Sequence, residues 1–161
     1  MIVVSNTSPV LNLAAIGEVK ILERLYSSIL VPSAVADEVQ RLRATQSRFR
    51  TADLPAFVDI AILQSPYLAI ALTGEVHAGE AAAIALAVER RADLLLMDEL
   101  RGRTVARRFA IPTLGLLGIL KLAKHQGVVP ALAPLLEKLE RQAGFWVGEA
   151  LRKRVLHEVG E

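Results

Sequence analysis

Gly79-Glu80-Ala81-Ala82-Ala83-Ile84-Ala85-Leu86-Ala87-Val88-Glu89-Arg90-Arg91-Ala92-Asp93-Leu94-Leu95-Leu96-Met97-Asp98-Glu99 carries a helix-then-strand pattern framed by acids. From Glu80 to about Arg91 it is rich in Ala and Leu and free of Gly and Pro, so it reads as a helix. From Asp93 to Met97 it is a short apolar run that reads as a buried strand. A dozen helical residues rise roughly 18 Å, and five strand residues return about 16 Å. The start of the helix and the end of the strand therefore share one edge of the layer. Each brings a carboxylate there, Glu80 and Asp98. Each acid also has a plain structural reading: Glu80 suits the positive end of a helix dipole, and Asp98 suits an N-cap. The helical wheel weighs against the first. Ile84, Ala87 and Val88 are the near neighbours of Glu80, which places the acid on the apolar stripe, where it needs a partner.

Working outward, Ile2-Val3-Val4 is β-branched and reads as the first, central strand. Ser8 and Pro9 suit the cap and first turn of a helix to about Ile16. Val19–Tyr26 reads as a second helix, Ser28–Val31 as a second strand, and Pro32 to about Arg43 as a helix buried through Val35, Val39 and Leu42. Glu38 borders that stripe, while Asp37 points away from it. Residues 44–56 are polar and Arg-rich and read as the least structured part. Phe57–Leu63 fits an edge strand, and Ser65–Glu75 is ambiguous, with a break at Gly74. Leu100–Phe109 reads as a helix and Ile111–Thr113 as a short edge strand. Helices follow over Leu114–His125, from Pro130 to about Gln142, and over Glu149–Glu158. The alternation predicts an α/β fold, a central, mostly parallel sheet of four or five short strands flanked by helices. Residues 1–161 read as a single domain, with the helices from about Leu114 packed on it or extending it.

Ligands of such sheets bind at the carboxyl ends of the strands. Asn6 and Asp98 follow strands directly, and Glu38 and Glu80 lie early in helices near the same edge. Four oxygen side chains from distant parts of the chain converge there, as in a carboxylate-held Mg²⁺ or Mn²⁺ site. Composition narrows the alternatives. The chain has no cysteine, which excludes disulfides and thiolate zinc sites. His77, His125 and His157 lack ligand spacing, so a zinc site is not expected. No apolar run reaches the ~18 residues of a membrane span, and the N-terminus has no signal-peptide character. The expectation is a soluble, cytoplasmic protein. The net charge is only +2, but the arginines are grouped. Arg41, Arg43, Arg48 and Arg50 form one set, Arg101, Arg103, Arg107 and Arg108 another, and Arg152-Lys153-Arg154 a third. Such groups suit phosphate-backbone contacts, or simply a solvated helix face.

The motifs together resemble those of the PIN-domain family, in particular the small prokaryotic VapC-type toxins of toxin–antitoxin modules. They are Val3-Val4-Ser5-Asn6-Thr7-Ser8-Pro9, Val31-Pro32-Ser33-Ala34-Val35-Ala36-Asp37-Glu38-Val39, Gly79-Glu80 with its alanines, and Leu94–Glu99. The likeness continues through Gly102-Arg103, Ala106 and Gly115–Leu120 to Gly144-Phe145-Trp146. The family's four acidic positions fall on Asn6, Glu38, Glu80 and Asp98. The first departs from the usual Asp: Asn keeps an oxygen donor but removes one negative charge, which Glu99 nearby would restore.

The resemblance implies metal-dependent hydrolysis of RNA phosphodiester bonds, with Mg²⁺ or Mn²⁺ activating water and stabilising charge on the phosphate. Thr7 and Ser8 would touch the scissile phosphate or orient Asn6, unless they cap the first helix. Arg41, Arg43, Arg48, Arg50, Arg101 and Arg103 would hold the RNA backbone, and few aromatics are available for base stacking. It also implies a small antitoxin as partner and a homodimer. The helices Leu114–Leu122 and Ala131–Leu139 supply the apolar surface, most of it packed inside the chain and the remainder left for the dimer contact. A second reading is a PIN-like module that binds RNA or a protein but cleaves poorly. A third is an unrelated Mg²⁺-dependent receiver or phosphatase. The sequence lacks the paired acids or Asp-x-Asp those need after the first strand, and it has no G-x-x-x-x-G-K-[ST] or G-x-S-x-G motif.

Overall fold

The computed structural model describes residues 1–161. The elements in chain order are β1 (Val3–Ser5), α1 (Thr7–Ala15), α2 (Lys20–Tyr26), β2 (Ile29–Pro32), α3 (Ser33–Thr45), β3 (Val58–Ala61) and α4 (Tyr67–Leu72). They continue with α5 (Ala78–Glu89), β4 (Leu94–Leu96), α6 (Leu100–Arg107), β5 (Thr113–Leu114), α7 (Leu116–His125), α8 (Ala133–Lys138) and α9 (Glu149–Glu158). A 3-10 turn at Ser47–Phe49 follows α3, and a π turn at Leu139–Ala143 follows α8. All strand pairs are parallel, in the order β3-β2-β1-β4-β5. The α/β expectation holds, with β1 central and β3 and β5 at the edges.

Alternation along the strands builds two apolar layers. Val3, Val31 and Leu96 face a larger core with α1, α2, α3, α7, α8 and α9, whereas Val4, Leu95 and Met97 face a smaller one with α5 and α6. Helix α5 lies in that second layer and is buried from Gly79 through Ala87. Small Ala side chains let it sit this close to the sheet. Val88 alone departs from the expected stripe, being 37% exposed.

Several expectations are corrected. Pro9 stands at the third helical position, because α1 begins at Thr7 with Asn6 at its cap position. The segment 44–56 is anchored, since Phe49 and Ala52 are buried in the larger core. The ambiguous stretch holds α4. The helix expected from Pro130 starts at Ala133, with Pro134 in its first turn, and gives way to the π turn, which Gly144 ends in a left-handed conformation at φ +68°. Leu116, Ile119, Leu120, Leu132, Leu135, Leu136 and Leu139 are all buried, so α7 and α8 spend their apolar faces inside the chain. The exposed apolar side chains lie elsewhere, including Ile60 and Ile62 at the β3 edge and Tyr67 and Ile70 on α4. No helix is long and apolar enough to cross a membrane.

Candidate functional site

In a parallel sheet every strand delivers its carboxyl end to one edge, and the crevice opens where the chain order reverses. Here that point lies between β1 and β4. Asn6 leaves β1 with its N–H still bonded to the Leu96 carbonyl of β4 at 2.9 Å, and Asp98 leaves β4 two residues later. Glu38 comes from the second turn of α3 and Glu80 from the first turn of α5, both of which begin at the same edge.

Each acid is held by a specific donor. The Thr7 hydroxyl donates to Glu38 Oε2 at 2.8 Å, and the His77 N–H donates to Glu80 Oε2 at 3.3 Å. Asp98 Oδ1 accepts the Leu116 N–H at 2.9 Å, at the start of α7. Asp98 Oδ2 faces the Ser8 hydroxyl at 3.4 Å, and Ser8 in turn accepts from the Asn12 amide at 2.9 Å. Thr7 and Ser8 therefore position acids and do not cap α1, which has no side-chain cap. Their helix start lies against the acids, which are stronger acceptors than a neutral partner.

Gly79 fits the site tightly. A Cβ there would stand 2.5 Å from Glu38 Oε2 and 3.7 Å from Asn6 Oδ1, so these oxygens converge over the bare glycine. Asn6 is 5% exposed, and its Oδ1 is buried with no hydrogen-bond partner, an arrangement that costs about 1–3 kcal/mol unless another group supplies one. Glu80 is buried as well. Its burial pushes its carboxyl above the ordinary range, the His77 N–H opposes the shift, and the charges of Glu99 and Glu38 add to it.

Asn6, Thr7, Ser8, Glu38, Glu80, Glu99 and Arg48 line one cleft of about 330 Å³. Asp98 borders it through Ser8, while facing Gly115 beside Arg103 Nη1. No three His, Asp or Glu side chains are drawn together closely enough to form a complete metal cage. The donors on offer are carboxylate and amide oxygens, which suit a hard divalent cation. The arginines divide. Arg41 and Glu38 line an adjoining hollow, Arg101 lines another with Glu80 and Glu99, and Arg43 is paired with Asp53 at 3.1 Å. Arg50 is exposed away from the cleft.

Sequence reasoning missed several cleft residues. His77 was set aside for lack of ligand spacing, yet its place just before α5 brings it to the wall shared by all three hollows. Asn12 lines the cleft from the inner face of α1, and its only sequence signal is a polar residue among Val10, Leu11 and Leu13. Phe145 lines the cleft beside Gly144.

Fold and site together define a parallel α/β protein with an oxygen-lined cleft at the switch point of its sheet. The chain belongs to the PIN-domain family, whose model matches residues 2–161. PIN domains are in general nucleases, hydrolases that act on RNA or DNA and typically use divalent metal ions. No curated protein and no solved structure matches the chain.

Proposed function

We propose that the protein is a divalent-metal-dependent endoribonuclease. The observation that carries the reading is the buried, partnerless Asn6 Oδ1 facing the same point over Gly79 as Glu38 Oε2, in one cleft with Glu80. Asn6, Glu38 and Glu80 would hold Mg²⁺ or Mn²⁺, with Asp98 at the border and Glu99 adding charge at the rim. Such an ion lowers the pKa of water and stabilises charge on a phosphate. The chain's own groups orient the donors. Thr7 fixes the Glu38 carboxylate, the His77 N–H fixes Glu80, and Asn12 fixes Ser8 against Asp98. Arg48 in the cleft, with Arg41 and Arg101 on either side, would neutralise the phosphates of a strand lying across the site. The likeness to VapC-type toxins extends the proposal to a toxin whose groove a short antitoxin segment covers, acting as a homodimer.

A binding module with weak cleavage is the second reading. Asn6 in place of a carboxylate and the absence of a complete three-carboxylate cage favour it. The test is cleavage of a mixed single-stranded and structured RNA pool in Mn²⁺, Mg²⁺ or EDTA by the wild type and by Glu38→Gln. Glu38 is the better control because the Asp98 carboxylate also secures the start of α7. Metal-dependent cutting by the wild type alone supports the nuclease. No cutting in either metal, with RNA still bound, would support the second reading.

A further inference from the structure

One end of the cleft is not explained by the acids. It is built where the 3-10 turn after α3 meets the turn after the π segment, and its walls are Leu42, Gln46, Arg48, Phe49, Gly144 and Phe145. The Arg48 guanidinium carbon lies 4.8 Å from the centre of the buried Phe49 ring, a cation–π contact that helps hold the side chain in place. Gly144 makes room for it, since a Cβ there would stand 3.1 Å from Arg48 Nη1. The Phe145 N–H is tied to the Leu139 carbonyl at 2.9 Å, which fixes the ring's backbone at the rim. Phe145 is half-buried, packed against the larger core on one side and open to the cleft on the other. Gln46, also half-buried, adds an amide that both donates and accepts.

We infer that the Gln46–Phe145 end of the cleft is a nucleobase subsite for single-stranded RNA, adjoining the acidic end where the phosphate is cut. The inference rests on the nuclease reading of that acidic end. A base needs an apolar face for its ring and polar groups for its edge. Phe145 supplies the first and Gln46 the second, while Arg48 takes the phosphate of the same nucleotide. A paired base keeps its faces stacked on its neighbours, so the subsite selects a splayed, single-stranded one. This revises the expectation drawn from composition, because a single well-placed ring suffices for one base.

The test is equilibrium binding of a fluorescein-labelled hexaribonucleotide in EDTA, beside the same chain carrying abasic residues throughout. The wild type is expected to prefer the base-bearing strand by about tenfold or more. Phe145→Ala should erase that preference while leaving the abasic strand's affinity unchanged. Phe145 also packs on the core, so Gln46→Ala is the second variant, and it should reduce the preference without altering thermal stability. Equal binding of both strands by the wild type, no binding of either, or an unchanged preference in both variants would overturn the subsite. Cleavage by the wild type is scored separately. Cutting without base preference would sink the subsite and leave the nuclease, and base preference without cutting would do the reverse.

Discussion

Replacing Asn6 by Asp adds a carboxylate to the cleft, and the structure sets the size of the effect. Asn6 Oδ1 and Glu38 Oε2 lie 3.7 and 2.5 Å from the same point over Gly79, hence no more than about 6 Å apart. Two unit charges at that separation repel by ~3 kcal/mol at an effective dielectric of about 20, and screening at physiological salt roughly halves this. Glu80 on the same cleft adds to the repulsion. Without a divalent ion, Asn6→Asp should therefore destabilise the fold by about 1–3 kcal/mol and lower Tm by roughly 2–12 °C. With the ion present the same charge becomes an attraction, so the variant should gain more Tm per increment of Mn²⁺ than the wild type. Thermal unfolding followed by circular dichroism in EDTA and across a Mn²⁺ series measures both arms. If the variant is as stable as the wild type in EDTA and shares its Mn²⁺ dependence, Asn6 does not share an electrostatic site with Glu38 and Glu80.

The remaining predictions probe the same wall. Burial, helped by Glu99 and Glu38, raises the folded-state pKa of Glu80 above the ordinary 4.5. The folded protein thus holds that proton more tightly than the unfolded chain, and ionisation destabilises the fold. The penalty is absent below the unfolded value, grows as pH rises through the window between the two values, and is complete above it. Glu80→Gln should accordingly raise Tm in EDTA at neutral pH, the gain vanishing on acidification below 4.5; a loss of stability at neutral pH would contradict this. Gly79→Ala gains helix propensity of up to ~1 kcal/mol, but its Cβ meets Glu38 Oε2 at 2.5 Å. Stability should change little, while Mn²⁺ affinity measured by calorimetry falls. Unchanged affinity would mean that Glu38 has no fixed role there.

Much of this site was legible in the sequence because local rules placed it. Glu80 sits on the apolar stripe of α5, Glu38 borders the buried stripe of α3, and Asn6 and Asp98 each follow a short apolar strand. Parallel topology then brings all four to one edge. The interactions that orient them were not legible. Whether Ser8 caps α1 or turns to Asp98 depends on a residue 90 positions away. His77 reaches the cleft only because its backbone caps α5 against the acids. The six-residue α4 is too short for a periodic signal, and the π turn that delivers Phe145 has no distinct pattern. The apolar runs of α7 and α8 are absorbed by α1, α2 and α9, packing that composition alone does not reveal.

The most direct test of the central claim is an anomalous difference map from crystals soaked in Mn²⁺. One strong peak is expected, bounded by Asn6 Oδ1, Glu38 and Glu80 and lost in Glu38→Gln crystals. A map with no peak in that cleft, or one confined to exposed carboxylates elsewhere, would contradict it.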